Sequence, residues 1–165
     1  MIKNDEKGFS LVELIVVIAI VTILATVSAI GISAISSKPA EQASQALKTL
    51  ISQNRTSSLG KYDAMLNISN DGVTVKGNYS YTLNGTDWLD PKETIICQKN
   101  VTVEVSYDGT NYTALDAAGV SIKFDRSSGA LKTPDTDIYF RFTKASNSYV
   151  VRVYHITGKV IQNKE

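Results

Sequence analysis

Hydrophobic and polar positions fall into three successive patterns along the chain. Residues 1–8, Met1-Ile2-Lys3-Asn4-Asp5-Glu6-Lys7-Gly8, are mixed and carry two bases and two acids. From Phe9 to Ile35 nearly every position is apolar or small, and Glu13 is the single charge in 27 residues. As a helix this segment would run ~40 Å, more than the ~30 Å hydrocarbon core of a bilayer. Its length is that of a membrane span. A secretory signal peptide would have a shorter apolar region followed by a small-residue cleavage site. Ala25, Ser28, Ala29, Gly31, Ser33 and Ala34 dilute the far end, which suits contact with other protein.

The second pattern covers residues 36–59. After Ser36-Ser37-Lys38-Pro39 comes a run of good helix formers. Ala43, Leu47, Leu50 and Ile51 recur at i, i+4, i+7 and i+8, so they share one face, with polar residues opposite. Pro39 either starts a fresh helix, with Ser36 or Ser37 near its N-cap, or kinks a continuous one. The continuous, bent form is favoured; it would be ~75 Å long and end near Thr56-Ser57-Ser58-Leu59-Gly60.

From residue 60 to 165 the period becomes two. Val73 and Val75 alternate with polar residues, as do Tyr79, Tyr81 and Leu83. Val101, Val103, Val105 and Tyr107 form the cleanest strand. Val120, Ile122 and Phe124 follow, then Ile138, Phe140 and Phe142, then Tyr149 to Tyr154 and Ile156 to Ile161. Turn signals separate them: Asp71-Gly72, Asn84-Gly85, Asp108-Gly109, Ser128-Gly129 and Thr157-Gly158. Alternation implies one buried and one wet face, hence an antiparallel sheet. The amphipathic stretch from Ala43 to Ile51 is the best candidate to cover it. The predicted class is α+β: a long N-terminal α-helix, apolar in its first half, whose second half packs on an antiparallel β-sheet. The domain reading is a leader (1–8), an apolar helix half (9–35), an amphipathic helix half (36–59) and a β head (60–165).

Composition narrows the function. In 165 residues, 43% are hydrophobic and 20% charged, so most of the chain folds. Lys and Arg total 17 against 16 Asp and Glu, a net charge of +1, without the basic surplus of a nucleic-acid protein. The single Cys, Cys97, excludes an internal disulfide framework and a thiolate zinc cluster. Cys97 reads as a small core residue and the single His, His155, as a strand-surface residue. Asp87, Asp90, Asp125, Asp135 and Asp137 lie near turns without EF-hand spacing. No nucleophile–base pair, P-loop or dinucleotide fingerprint stands out. The expectation is a protein that is not an enzyme, with no cofactor and no metal.

Residues 7–20, Lys7-Gly8-Phe9-Ser10-Leu11-Val12-Glu13-Leu14 followed by Ile15-Val16-Val17-Ile18-Ala19-Ile20, resemble the cleavage and assembly motif of type IV prepilins and pseudopilins. The resemblance implies cleavage between Gly8 and Phe9 by a membrane-embedded prepilin peptidase, and N-methylation of Phe9. It also implies a role for Glu13 in subunit assembly. Further on, Val120 to Asp125, Gly129, and Val150 to Gly158 with Lys159-Val160 are similar to the end of the H-type minor pseudopilins. The implied partners are the peptidase, other pilin or pseudopilin subunits, an inner-membrane assembly platform, and lipid before assembly. The implied location is a prokaryotic cell membrane, crossed once, and then an extracellular or periplasmic filament. Many major pilins carry a C-terminal Cys pair; the lone Cys97 and the late Pro39 point instead to a minor subunit.

The residues suit that chemistry. Gly8 has no side chain to hinder a protease approaching the backbone. A lone carboxylate in mid-bilayer costs roughly 2.5–3.5 kcal/mol on insertion scales, and less near a helix start, where the interface and the positive helix end are close. Inside a filament Glu13 needs a partner; the resemblance suggests the cationic Phe9 amine of a neighbouring subunit, a pair that sets register. A second class of function stays open: a membrane-anchored or tip-located binding module for adhesion or DNA uptake.

Overall fold

The computed structural model describes residues 11–60, 63–82, 89–98 and 100–165, and of residues 11, 13, 22–37, 60 and 89–91 the backbone alone. Two compact units are present, Met1–Ser36 and Ser37–Glu165. One helix, α1 (Leu11–Gly60), contains Pro39 internally, which is the continuous alternative. In the head its buried stripe is Ala40, Ala43, Ser44, Leu47, Ile51, Asn54 and Ser58, the three- and four-residue steps of one helix face. Leu50 lies half-buried beside this stripe.

Ten strands follow: β1 (Asp63–Asn70), β2 (Thr74–Thr82), β3 (Leu89–Gln98), β4 (Thr102–Ser106), β5 (Thr113–Ala114), β6 (Val120–Phe124), β7 (Leu131–Thr133), β8 (Ile138–Lys144), β9 (Asn147–Val153) and β10 (Val160–Lys164). They form two five-stranded sheets, in the orders β3-β2-β1-β6-β7 and β10-β9-β8-β4-β5. Neighbouring strands pair antiparallel throughout. The inner faces meet α1 in one apolar core: Leu66, Ile68 and Ile122 from the first sheet, Ile138, Phe140, Phe142, Val151 and Val153 from the second, and Leu47 and Ile51 from the helix. Polar contacts fix the helix to both sheets. Asn54 Nδ2 donates to the Ile122 carbonyl at 3.1 Å, and Gln162 Nε2 bonds Ser44 Oγ at 2.6 Å.

The α+β class and the helical cover agree with the expectation; the strand inventory differs in detail. The head has two sheets, because alternation marks a buried face without saying which strands pair. Four strands escaped the pattern: β5 and β7, with two and three residues, are too short to show alternation, and β1 and β3 hide theirs. In β1 the half-buried Met65 sits between Ala64 and Leu66 and hides the alternation. β3 contains Pro91, Lys92 and Glu93, poor strand formers that an edge strand tolerates. Val73 and Ile156, read as strand residues, are exposed in loops, 64% and 82% accessible. Their tips are set by the Asp71 and Thr157-Gly158 turns. His155 follows the end of β9 instead of lying in a strand. Asn84-Gly85 lies outside the described residues.

Candidate functional site

Gly8 and Phe9 lie outside the described residues; Glu13 lies in α1, with its backbone described. Around Glu13, the side chains of Val12, Leu14, Ile15, Val16, Val17, Ile18, Ile20 and Val21 are all half or more exposed. Consecutive helical residues are 100° apart, so Leu14 to Ile18 alone encircle the helix. This stretch is apolar all round, the mark of a helix meant for lipid or for the core of an assembly. Each such side chain gains roughly 1.5–3 kcal/mol on leaving water. Among the described residues no helix is long and apolar enough to cross a membrane.

In the head, the residues of the C-terminal pattern come together at the end of α1. Arg55 Nε donates to the Gly129 carbonyl at 3.0 Å and Nη2 to the Thr157 carbonyl at 3.1 Å. Gly129 and Gly158 have φ of +68° and +62°, a region that L side chains enter at a cost. A Cβ on Gly158 would overlap the Gly129 carbonyl and crowd Arg55. The Thr157-Gly158 turn is therefore the place where two loops close on the helix. The sequence placed both glycines in one pattern; Arg55, their common partner, carried no signal of its own.

Beside this joint, Asp137 organises the start of β8. Its Oδ1 accepts the His155 backbone N–H at 2.7 Å and its Oδ2 accepts Arg152 Nη2 at 2.6 Å. Burial alone would raise the Asp137 pKa, but the His155 N–H and the Arg152 guanidinium together hold it below the ordinary value. Arg152 also lies 4.1 Å from the Tyr154 ring centroid, and Arg141 lies 3.8 Å from that of Tyr112 while pairing with Glu104 at 2.8 Å. These groups tie strands to one another. His155 Nε2 is 3.4 Å from Asp135, whose side chain is almost fully exposed. Cys97 is buried, and burial pushes its thiol up to about 11, so it stays protonated and unreactive at neutral pH. Among the described residues no three His, Cys, Asp or Glu side chains group as a metal site would require. Asp125 is instead saturated by its own turn, accepting from the backbone and hydroxyl groups of Ser127 and Ser128.

Residues 3–29 match the family model of the prokaryotic N-terminal methylation motif. The fold is similar to the type IV minor pilin FimU of Pseudomonas aeruginosa (strain PAO1). Against its crystal structure in space group P65 the TM-score is 0.51 at 13% identity, covering 74% of this chain and 91% of that one. Against the form in space group P21 the TM-score is 0.53 at 13% identity, covering 77% and 91%. No curated protein matches the sequence. At this identity the structural likeness is one of fold. The motif is that of prokaryotic N-terminal methylation, and the fold of the head is like that of a type IV minor pilin.

Proposed function

We propose that this chain is a subunit of a type IV pilus or of a secretion-type pseudopilus. The observation that carries the reading is the joining, in one chain, of a methylation motif on an all-round apolar helix to a head of pilin fold. A prepilin peptidase cleaves between Gly8 and Phe9, and Phe9 is then N-methylated. The apolar segment, residues 9–35, holds the subunit in the membrane until assembly. It then moves into the filament core among other pilin subunits, where Glu13 pairs with the Phe9 amine of a neighbour. The rank proposed is a minor subunit, supported by the single buried Cys97 and by the fold shared with a minor pilin.

Co-expression with a prepilin peptidase tests the first step. The wild-type chain is expected to yield a mature protein beginning at methylated Phe9 by N-terminal mass spectrometry. Gly8→Val is expected to stay uncleaved, because a β-branched side chain crowds the scissile backbone. An intact Met1 in the wild type, or a cut beyond Ala34, overturns the reading.

A further inference from the structure

The second sheet ends in an edge that invites completion. In the β9–β10 pair, Tyr154 N donates to Lys159 O and Glu165 N to Ser148 O, and the register between them is unbroken from Val160 to Lys164. Hydrogen-bonded pairs alternate in an antiparallel ladder. Ile161 and Asn163 therefore bond to β9, while the backbone N–H and C=O groups of Val160, Gln162 and Lys164 point away from it. Among the described residues no strand occupies that side.

The other edges are short or defended. β5 and β7 have two and three residues. β3 carries Pro91, Lys92 and Glu93 and two register irregularities, devices that discourage pairing. β10 has no proline and no bulge.

Helix α1 lies against this edge strand, where Gln162 bonds Ser44. Its outer flank and Gln162 line a groove of about 660 Å³ that includes Gln45, Lys48, Thr49, Ser52 and Thr56. The hydroxyls of Thr49, Ser52 and Thr56 each donate to the carbonyl four residues back, leaving their oxygen lone pairs free to accept. Lys48 is the one charged residue in the lining and has no ion-pair partner among the described residues.

We infer that β10 is a docking edge for one extended polypeptide segment of another protein, polar on its helix-facing side and carrying a carboxylate for Lys48. Unpaired N–H and C=O groups on alternate residues are matched by an extended backbone, in the manner of strand addition. A second copy paired two-fold through β10 is the less complementary occupant, because the groove lining of that copy holds no Asp or Glu to answer Lys48. The inference rests on the head alone and is independent of the processing motif.

The test uses the full-length protein in detergent micelles and the peptide acetyl-Thr-Val-Asp-Val-Thr-Val-amide as probe, followed by residue-resolved amide exchange. The peptide is expected to slow the Val160, Gln162 and Lys164 amides tenfold or more, leaving Ile161 and Asn163, already bonded to β9, nearly unchanged. A probe with Lys in place of Asp is expected to bind more weakly. Gln162→Pro removes one outward donor without touching the β9 ladder and is expected to abolish the effect, whereas Gln162→Ala keeps it. No slowing at millimolar peptide, or uniform slowing across all five amides, overturns the inference. The wild-type pattern decides the matter even if Gln162→Pro fails to fold, and neither result bears on cleavage at Gly8.

Discussion

At the scale of single residues, Gly158 shows how tightly the loops close on α1. Gly72 and Gly158 both have positive φ, +86° and +62°, but nothing lies within 4 Å of where a Cβ on Gly72 would sit. Gly72→Ala therefore meets only the backbone penalty, about 1 kcal/mol. Gly158→Ala adds an overlap with the Gly129 carbonyl and is expected to cost clearly more, with Arg55 displaced from both of its carbonyl acceptors. Denaturant midpoints of the two variants check this, and equal losses would show that the overlap relaxes freely. Three turn carboxylates make a second residue-scale prediction. Backbone N–H donors, Thr74 foremost at Asp71 and Asn111 foremost at Asp108, and the Ser127 hydroxyl foremost at Asp125, hold all three pKa values well below 3.8. Below 3.8 the unfolded chain binds protons that the native carboxylates still refuse, so stability falls as pH falls. The contribution is fully present above that value. Thermal melts from pH 5 to pH 2 are expected to stay level down to about pH 4 and then drop, with a shallower drop in Asp108→Asn.

At the scale of elements, the buried stripe of α1 decides how the head holds together. Leu47 is fully buried between the helix and the sheets, whereas Leu59, one residue before the helix end, is 42% exposed. Leu47→Ala removes packed methyl groups and leaves a cavity, at a cost of about 2–5 kcal/mol. Leu59→Ala is expected to change stability by no more than about 0.5 kcal/mol. Equal effects in chemical denaturation would mean that the stripe is not the principal contact. The helix stripe was legible in the sequence because Ala43, Leu47 and Ile51 repeat with a helical period. The strands were legible where a wet face is polar, as in Val120 to Phe124; the short β5 and β7 were lost for want of length, and so were the long β1 and β3. There Met65 blurs the alternation, and the proline and charges of an edge strand mimic a loop.

At the scale of the whole molecule, the proposed assembly separates two functions that meet within five residues. In that proposal, cleavage reads the junction of Gly8 and Phe9, while Glu13 acts only after the apolar helix has left lipid. Glu13→Ala is therefore expected to be processed normally and to enter filaments poorly, because the Phe9 amine of a neighbour would be left unpaired in an apolar core. Sheared filaments analysed by mass spectrometry measure incorporation, and normal levels of the variant would remove the pairing role. The same preparation reads rank: a minor subunit is expected at low abundance, and a chain that dominates the sheared fraction is a major pilin.

Local chemistry written in order along the chain was readable from the sequence alone. The motif around Gly8, Phe9 and Glu13, the all-round apolar stretch, the amphipathic turn of the pattern after Pro39 and most glycine turns depend on neighbours a few residues away. Tertiary structure decided what depends on distant partners. It divided the strands into two sheets, brought Arg55 to carbonyls 74 and 102 residues further on, and left the outer side of β10 without a neighbouring strand among the described residues. Period-two alternation records which face of a strand is buried, but strand pairing and sheet edges are set by packing between segments that no local pattern relates.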